Sequence, residues 1–504
     1  MGILESLELG FAVAMTWENL AYCLLGVTVG MVVGVLPGIG HLAAISLLMP
    51  LTFHVPATAA LVMLAGIYYG AQYGGSIASI LLNLPGTASS AVICLDGYPM
   101  TKKGRAGPAL LITTIASFVG SLLSIMVLIL MAPPLAQLAL SFHSADYFSM
   151  MVLGLVAAGS ISQGKPMIGL ASVLIGLLIG LVGIDVNSGA MRMTFGVPEL
   201  FSGISIIVIA MALFGVVEVI SSIGKVNGRA KDQTKISIRG LMPNRQEWRD
   251  SLWPMIRGSA VGTGVGVLPG TGGGSMAAFM SYAVEKRTSK TPEKFGTGAI
   301  EGIAGPESAN NAAAQSAFIP TLTLGIPGDA IMALMLGALM IHGIAPGPRV
   351  ITENPDLFWG LVVSFLIGNF MLLVLNIPLI QFWVKILQIP YRFLFPAIVL
   401  LICVGVYSLS RSTVDVMLVA GFSTIGYLLI KLGFEAAPLL LGFILGPMLE
   451  ENMRRSLMLS RGDFGTFIER PISAVFLGLA ALLLIWVIRG ELTPKKATAV
   501  TLDS

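Results

Sequence analysis

The chain has 504 residues, of which 55% are hydrophobic and only 11% are charged, and its formal net charge is +3. A soluble domain usually carries about 25% charged residues, so composition excludes a water-soluble protein of this length. We therefore predict an all-α, polytopic integral membrane protein.

Six apolar stretches of the sequence are long and nearly free of charge. A spanning helix needs about 20 such residues, so these stretches, with shorter and interrupted pieces, predict about ten to twelve membrane-embedded segments. The stretches are residues 108–131, 200–220, 357–380, 393–407, 412–430 and 472–488.

One glycine-rich apolar stretch occurs twice. GVTVGMVVGVLPGIG spans residues 26–40, GSAVGTGVGVLPGTG spans residues 258–272, and ten of the fifteen positions are identical. Glycine at every fourth position gives a helix face on which another backbone can pack closely in lipid. The Pro-Gly pair then predicts the end of each helix, because proline lacks a donor and clashes with the preceding turn.

A second matched pair of breaks follows, NLPGT at 83–87 and GIPGD at 325–329, with a ten-residue difference in spacing. A break at membrane depth must lie inside the protein or line a watery cavity, because lipid cannot satisfy its N–H and C=O groups. Helix N-termini there favour anions, and carbonyl-bearing ends favour cations. One Pro-Gly pair is often only a kink, but matched breaks indicate a binding site.

Basic residues cluster in two loops. Residues 102–105 hold three, and residues 221–257 hold eight with three acidic residues. Short basic loops stay on the cytoplasmic side of a membrane, and four candidate spans separate these two. We predict a first membrane repeat over 1–220, a basic cytoplasmic connecting loop over 221–257, and a second repeat with additional C-terminal helices over 258–504. We expect broken helices or re-entrant hairpins and inverted repeats, as in many secondary transporters.

Polar side chains precede the last break, in EGIAGPESANNAAAQSAF at 301–318. Ionisable groups inside a membrane are costly and indicate function. Two interpretations of Glu307 stay open: a functional carboxylate, or an acid in the first turn of a helix that starts at Pro306. Asn310 and Asn311 offer oxygens to a cation and donors to a carboxylate, and interhelical hydrogen bonding would explain them equally well.

The matching stretch of the first half, residues 66–92, carries hydroxyls and an amide. Singly, these groups suit bonds to a preceding carbonyl, and together they suggest a pocket wall. Asp329 stands in the equivalent break of the second half, near the place of Thr87. Asp96, in DGYPMTKKG, is expected to be a turn residue beside the basic cluster.

We expect the four breaks to converge near the membrane midplane around one site. The predicted substrate-binding residues are Pro37, Gly38, Gly40, Asn83, Pro85, Gly86, Thr87, Ser89, Pro269, Gly270, Thr271, Gly272, Ser308, Asn310, Asn311, Pro327 and Gly328. The predicted cation-binding residues are Asn83, Glu307, Asn310, Asn311, Gly325 and Asp329.

Patterns typical of catalysis are missing from the sequence. It contains no HExxH, GxSxG or P-loop pattern, and its three cysteines and four histidines form no ligand cluster by spacing. We therefore predict no enzyme activity, no cofactor, and no bound metal other than a candidate Na⁺. An anion channel and, after it, a membrane-embedded enzyme remain as alternatives to a carrier.

The chain resembles the large membrane subunit of tripartite tricarboxylate transporters, the TctA family. The resemblance rests on the duplicated GVLPG, on YGGSIASILLNLPGT, on DGYPMTKKGRAGPAL and on GPESANNAAAQSAFIPTLTLGIPGD, and it extends over about residues 18–450. It implies a permease of the bacterial inner membrane with two partners: a small four-helix membrane subunit (TctB-like) and a periplasmic solute-binding protein (TctC-like). It also implies import of tricarboxylates or related organic carboxylates by Na⁺ or H⁺ symport. No nucleic acid is among the expected partners.

Overall fold

The structure is a computed structural model. It describes residues 2–36, 40–160, 165–185, 188–222, 238–268, 273–386 and 391–492. This part of the chain is almost entirely helical, apart from one antiparallel hairpin of β1 (Gly183–Ile184) and β2 (Met191–Arg192). The all-α prediction is therefore confirmed.

The helices divide at the gap between residues 222 and 238. Before it lie α1 (Ile3–Ala14), α2 (Trp17–Val35), α3 (Gly40–Leu48), α4 (Ala57–Leu82), α5 (Cys94–Lys102), α6 (Ala106–Ala139), α7 (Ser144–Ser160), α8 (Pro166–Gly180), α9 (Ile206–Ala210) and α10 (Val217–Ser222). After it lie α11 (Arg245–Gly266), α12 (Gly274–Thr288), α13 (Glu301–Ser316), α14 (Phe318–Leu324), α15 (Ala330–Ile341), α16 (Val350–Glu353), α17 (Pro355–Asn376), α18 (Ile380–Ile386), α19 (Tyr391–Ser410), α20 (Thr413–Lys431), α21 (Ala436–Leu459), α22 (Thr466–Glu469) and α23 (Pro471–Leu492). A π-helical turn (Met211–Val216) joins α9 to α10, and short 3-10 helices cover Met49–His54, Ser89–Ile93, Pro198–Leu200, Ile238–Leu241 and Pro292–Lys294.

Five of the described helices are long and apolar enough to cross a membrane: α2, α6, α17, α20 and α23. Shorter apolar helices accompany them, among them α8, α15 and most of α19. Each of the six apolar stretches identified in the sequence falls largely on a described helix. The chain is therefore a multi-pass membrane protein.

The repeated glycines hold two pairs of helices in close contact. A Cβ at Gly30 would overlap the backbone of Ile67, so α2 lies directly against α4. A Cβ at Gly262 would overlap the backbone of Ala309, so α11 lies against α13 in the same way. In both pairs the contacts advance together along the two chains, so each pair is parallel. Close backbone approach at small residues is the usual way to pack helices in lipid.

The contact register also matches the two copies to each other. Gly26 meets Met63, 37 residues later, and Gly258 meets Gly305, 47 residues later. This difference of ten residues equals the difference in spacing between the Pro-Gly breaks in the sequence. The two glycine-rich helices therefore dock on equivalent turns of α4 and α13.

The two copies run in opposite directions. Ser76 of α4 bonds to Glu307 of α13, and Gln72, one turn earlier, bonds to Asn310, one turn later. The contacts therefore advance along one helix and retreat along the other, so α4 and α13 are antiparallel. Since each lies parallel to its own glycine-rich helix, the two helix pairs have the relation expected of inverted repeats.

A long helix of each half packs on the other half. Gly120 of α6 lies directly against the backbone of Ser308 in α13, and Gly368 of α17 lies against the ring of Tyr69 in α4. The two halves are therefore interlocked through their long helices.

The two basic loops lie side by side. Arg105 forms an ion pair with Glu247, and Lys103 donates to the carbonyl of Thr297 at 2.6 Å. Asn244 caps α11 with Glu247 in a capping box, so this helix begins within the segment that we predicted as a connecting loop. Residues 223–237 of that predicted loop lie outside the described residues.

α7 and α8 of the first half pack against α21 and α23 of the second half. α8 and α21 cross at glycines, where Gly176 meets the carbonyl of Leu439 and Gly442 meets that of Val173. α7 and α23 meet through an ion pair between Asp146 and Arg470. This group lies outside the paired breaks that the next section describes.

Candidate functional site

The first break of each copy follows a helix that stops before the Pro-Gly pair. α2 ends at Val35 and α11 ends at Gly266. The structure resumes at Gly40 (φ +66°) and at Gly273 (φ +41°), both in the left-handed region that favours glycine. Six predicted site residues lie outside the described residues: Pro37, Gly38, Pro269, Gly270, Thr271 and Gly272.

The second break of each copy begins with a left-handed residue, Asn83 (φ 58°) after α4 and Gly325 (φ 70°) after α14. A left-handed residue is a common way to end a helix. Asn83 and Pro85 are exposed, whereas Gly325 and Pro327 are buried. The backbone of Asn83 ends the helix, and its side chain does not join the buried polar groups described below.

Each second break rests on the end of its own glycine-rich helix. A Cβ at Gly86 would overlap the carbonyl oxygen of Gly34, and one at Gly328 would lie 3.4 Å from that of Gly266. The two breaks of each copy are therefore neighbours, although more than 45 residues separate them in the sequence.

Buried polar side chains from both copies meet between the breaks. The Oε1 atom of Gln72 accepts hydrogen bonds from Ser89 at 2.9 Å and from the amide of Asn310 at 3.1 Å. Thr87 and Ser89 share a bond of 3.0 Å. All of these groups are almost wholly buried. We call the set the central polar cluster; its members are Tyr68, Gln72, Thr87, Ser89, Asn310 and Asp329.

Asp329 joins the last break to this cluster. Its Oδ1 atom caps α15 by accepting from the N–H of Met332 at 2.8 Å, and its Oδ2 atom accepts from the Tyr68 hydroxyl at 3.1 Å. A carboxylate suits the N-terminus of a helix, where the first N–H groups are unpaired. The N-terminus of α15 therefore already holds an anionic group of the protein itself.

The first breaks reach the same cluster. The ring of His41, in the first turn of α3, lies 5.8 Å from that of Tyr68. A Cβ at Gly273 would lie 3.4 Å from Oδ2 of Asp329, and one at Gly274 would overlap the amide oxygen of Asn310. The described ends of all four breaks thus lie around one group of buried side chains.

Glu307 lies beside this cluster, deep between three helices. One oxygen accepts from Ser76 of α4, and the other accepts from Ser117 of α6 at 2.7 Å and from Asn311 at 3.0 Å. No basic side chain pairs with it among the described residues. α13 begins at Glu301, so Glu307 lies inside the helix, and the interpretation as an acid in a first turn is wrong.

Ser308 and Asn311 make local contacts. Ser308 bonds to the Ser259 hydroxyl at 2.8 Å and to the carbonyl of Met255 at 2.7 Å, so it ties α13 to α11. The amide nitrogen of Asn311 donates to Ser117 and to the Glu307 carbonyl, both at 3.0 Å. Asn311 therefore belongs with Glu307, whereas Ser308 faces the glycine-rich helix.

Asp96 differs from its expected role as a turn residue. It is fully buried in α5, where Oδ1 accepts from the N–H groups of Gly296, Gly298 and Ala299 at 2.7–2.9 Å. Its Oδ2 atom accepts from the Tyr282 hydroxyl at 2.9 Å. The carboxylate therefore fastens the first half to the loop that leads into α13.

Three residues near the breaks were not among the predicted site residues: His41, Tyr68 and Gln72. Gln72 could have been predicted from the sequence, because a single glutamine in the apolar helix of residues 57–82 needs a partner: an unpaired amide is costly in lipid. The evidence for His41 was weaker: it is a histidine just after a break. The contact between Tyr68 and Asp329 spans 261 positions and has no local signature.

Comparisons with known proteins identify a family for this chain. The family model described as "Tripartite tricarboxylate transporter TctA family" matches residues 20–441. An uncharacterized 52.8 kDa protein in the TAR-I ttuC' 3' region of Agrobacterium vitis is 48% identical over 486 residues, which is 96% of each chain. A protein in the TAR-II ttuC' 3' region of the same organism is 54% identical over 235 residues, 47% of this chain and 97% of its own length. No solved structure matches.

Proposed function

Because this chain belongs to the tripartite tricarboxylate transporter TctA family, we propose that it is the membrane subunit of a secondary transporter that imports organic carboxylates with a coupling cation. The proposed substrates are tricarboxylates or related anions, delivered by a periplasmic solute-binding protein. A small membrane subunit is the proposed second partner, and the bacterial inner membrane is the proposed location. The observation that supports the proposal is that the described ends of the four breaks lie around one buried polar cluster.

The substrate carboxylate is proposed to bind at the N-terminus of α12. Among the described residues no side chain caps this helix at Gly273, so we propose that its first N–H groups receive an anion. Ser89 and Asn310 lie beside Gly274, where any side chain would fill the space next to them. Asp329 already caps α15, so we place the substrate anion at the α12 end, although Oδ2 of Asp329 also lies close to Gly273.

Electrostatics supports coupling to a cation. Moving a net negative charge into a cell that is negative inside is opposed by about 2.3 kcal/mol per charge for each 100 mV. The sequence carries no P-loop that would bind ATP for this work. Symported cations would compensate the charge of a di- or trianion, and Glu307 and Asp329 are the buried carboxylates that could attract them.

The test is uptake of labelled citrate and related carboxylates into vesicles that contain this chain, the small membrane subunit and a matched binding protein. We expect uptake only with a gradient of Na⁺ or H⁺. Asn310→Ala should lower uptake at least about tenfold, the effect of losing about 1.4 kcal/mol of binding. Asn452→Ala is the matched control, because the hydrogen bond that the described part of the chain gives this amide lies within α21, to Met448.

Two results would contradict the proposal. Uptake that is indifferent to both cation gradients would rule out symport. Single-channel currents of thousands of ions per opening would instead indicate an anion channel. Normal uptake by Asn310→Ala would remove the central polar cluster from the binding site but not the family assignment.

A further inference from the structure

One helix interface outside the central polar cluster contains buried polar atoms without partners. It is formed by the facing sides of α6 and α13, and we call it the α6–α13 seam. The Ser121 hydroxyl, the Asn311 amide oxygen and both amide atoms of Gln315 have no hydrogen-bond partner among the described residues. All three side chains are fully buried.

These groups lie on one line along the seam. The two helices run in the same direction there, because Gly120 meets the backbone of Ser308 and Ser124, four residues later, meets Ala312, also four residues later. Ser121 follows Ser117 by four residues and Gln315 follows Asn311 by four, so each lies on the facing side of its helix. The Asn311 nitrogen bonds back to Glu307, so its oxygen points away from that residue.

Unpaired atoms are not a general property of this interface. The neighbouring Ser124 hydroxyl donates to the carbonyl of Ala312 at 2.8 Å, and the Ser117 hydroxyl donates to Glu307. Buried polar groups in native proteins nearly always have partners. Three unpaired side chains on the facing sides of these two helices therefore indicate a bound species that supplies the missing interactions.

We propose that the α6–α13 seam binds a largely dehydrated Na⁺. Ser121, Asn311 and Gln315 offer neutral oxygens, the ligand type that hard cations prefer. When ionised, Glu307, which the Asn311 amide contacts directly, carries a negative charge that no basic side chain of the described chain balances. A neutral water molecule would leave that charge uncompensated, so a cation fits the seam better. This proposal depends on the cation coupling proposed above, and it adds which ion binds and where.

The test measures Na⁺ binding without substrate or partner subunits. The full chain is placed in lipid nanodiscs, and its thermal unfolding midpoint is followed as NaCl replaces choline chloride or KCl at constant ionic strength and pH. Binding to the native state raises the midpoint. We expect a rise with Na⁺ that exceeds any rise with K⁺, and an apparent affinity for Na⁺ that falls at least about tenfold in Ser121→Ala and Gln315→Leu.

Ser124→Ala is the matched control, since it removes a hydroxyl from the same helix face that already has a partner. It should keep the Na⁺ response of the wild type. If Gln315→Leu does not fold, Ser121→Ala alone decides, because it removes a single oxygen. Equal midpoints in Na⁺, K⁺ and choline, or a Na⁺ response that Ser121→Ala leaves unchanged, would overturn the site. A Na⁺ response without carboxylate uptake would refute the proposed function and leave the site standing.

Discussion

The second breaks of the two copies share a backbone but differ in charge. Both begin with a left-handed residue, and both rest on the end of a glycine-rich helix. At the fifth residue of the break the first copy has Thr87, a neutral hydroxyl, and the second has Asp329, which caps α15. The two copies therefore have similar backbones at the second break, but one break carries a neutral residue and the other an acidic one. We therefore expect the proposed substrate anion to lie nearer the neutral break.

A second difference lies eleven residues after the proline of each second break, where the first copy has Asp96 and the second has Ala338. Asp96→Ala should give the largest effect, because three backbone N–H groups would lose their acceptor. We expect a loss of about 3 kcal/mol or more in unfolding free energy, at about 1–3 kcal/mol for each buried unpaired group. The loss of stability is measured by thermal unfolding in nanodiscs, with the exposed Glu293→Ala as control. If Asp96→Ala unfolds at the same midpoint as the control, the hydrogen bonds of Asp96 are not needed for stability.

Because the two copies share the same helix packing, we expect substitutions of equivalent glycines to lower the stability of the protein equally. Gly30→Ala and Gly262→Ala each place a methyl group against a neighbouring backbone, and overpacking of this kind costs about 1–3 kcal/mol. Gly264→Ala is the control, since nothing lies within 4 Å of its Cβ position. It should be neutral or stabilising by up to about 1 kcal/mol, because alanine favours helix. Strongly different unfolding midpoints for Gly30→Ala and Gly262→Ala would show that the two glycine positions are not equivalent.

The smallest effect is expected when an acidic side chain is introduced into the neutral break. Thr87→Asp would give the neutral break the charge of the acidic one, so it should repel a carboxylate. We expect KM for uptake to rise about tenfold, which corresponds to about 1.4 kcal/mol. Thr87→Ser, which keeps the hydroxyl, should transport like the wild type. An unchanged KM in Thr87→Asp would place the substrate elsewhere.

The sequence predicted the features that depend on local chemistry. Helix ends before Leu-Pro-Gly and the close glycine faces follow from backbone sterics, so residues 26–40 and 258–272 were informative by themselves. The partners of polar side chains were not predictable, because they come from distant parts of the chain. Asp96 reads as a turn residue beside Lys102, and only its contacts 200 positions away show its role. Asn83 is a related case: its left-handed backbone ends α4, a role that the residue type alone did not reveal, and its role in binding stays a prediction.

The interlocking of the long helices also has a consequence for how the protein is made. Tyr73 of α4 bonds to Asn369 of α17, 296 positions later. When α4 leaves the ribosome, the helix that will cover it has not yet been synthesised, and contacts of such long sequence separation form slowly. The contacts between α4 and α17 can therefore form only after the second half of the chain has been synthesised. Packing around α4 is thus completed long after the helix itself has been made.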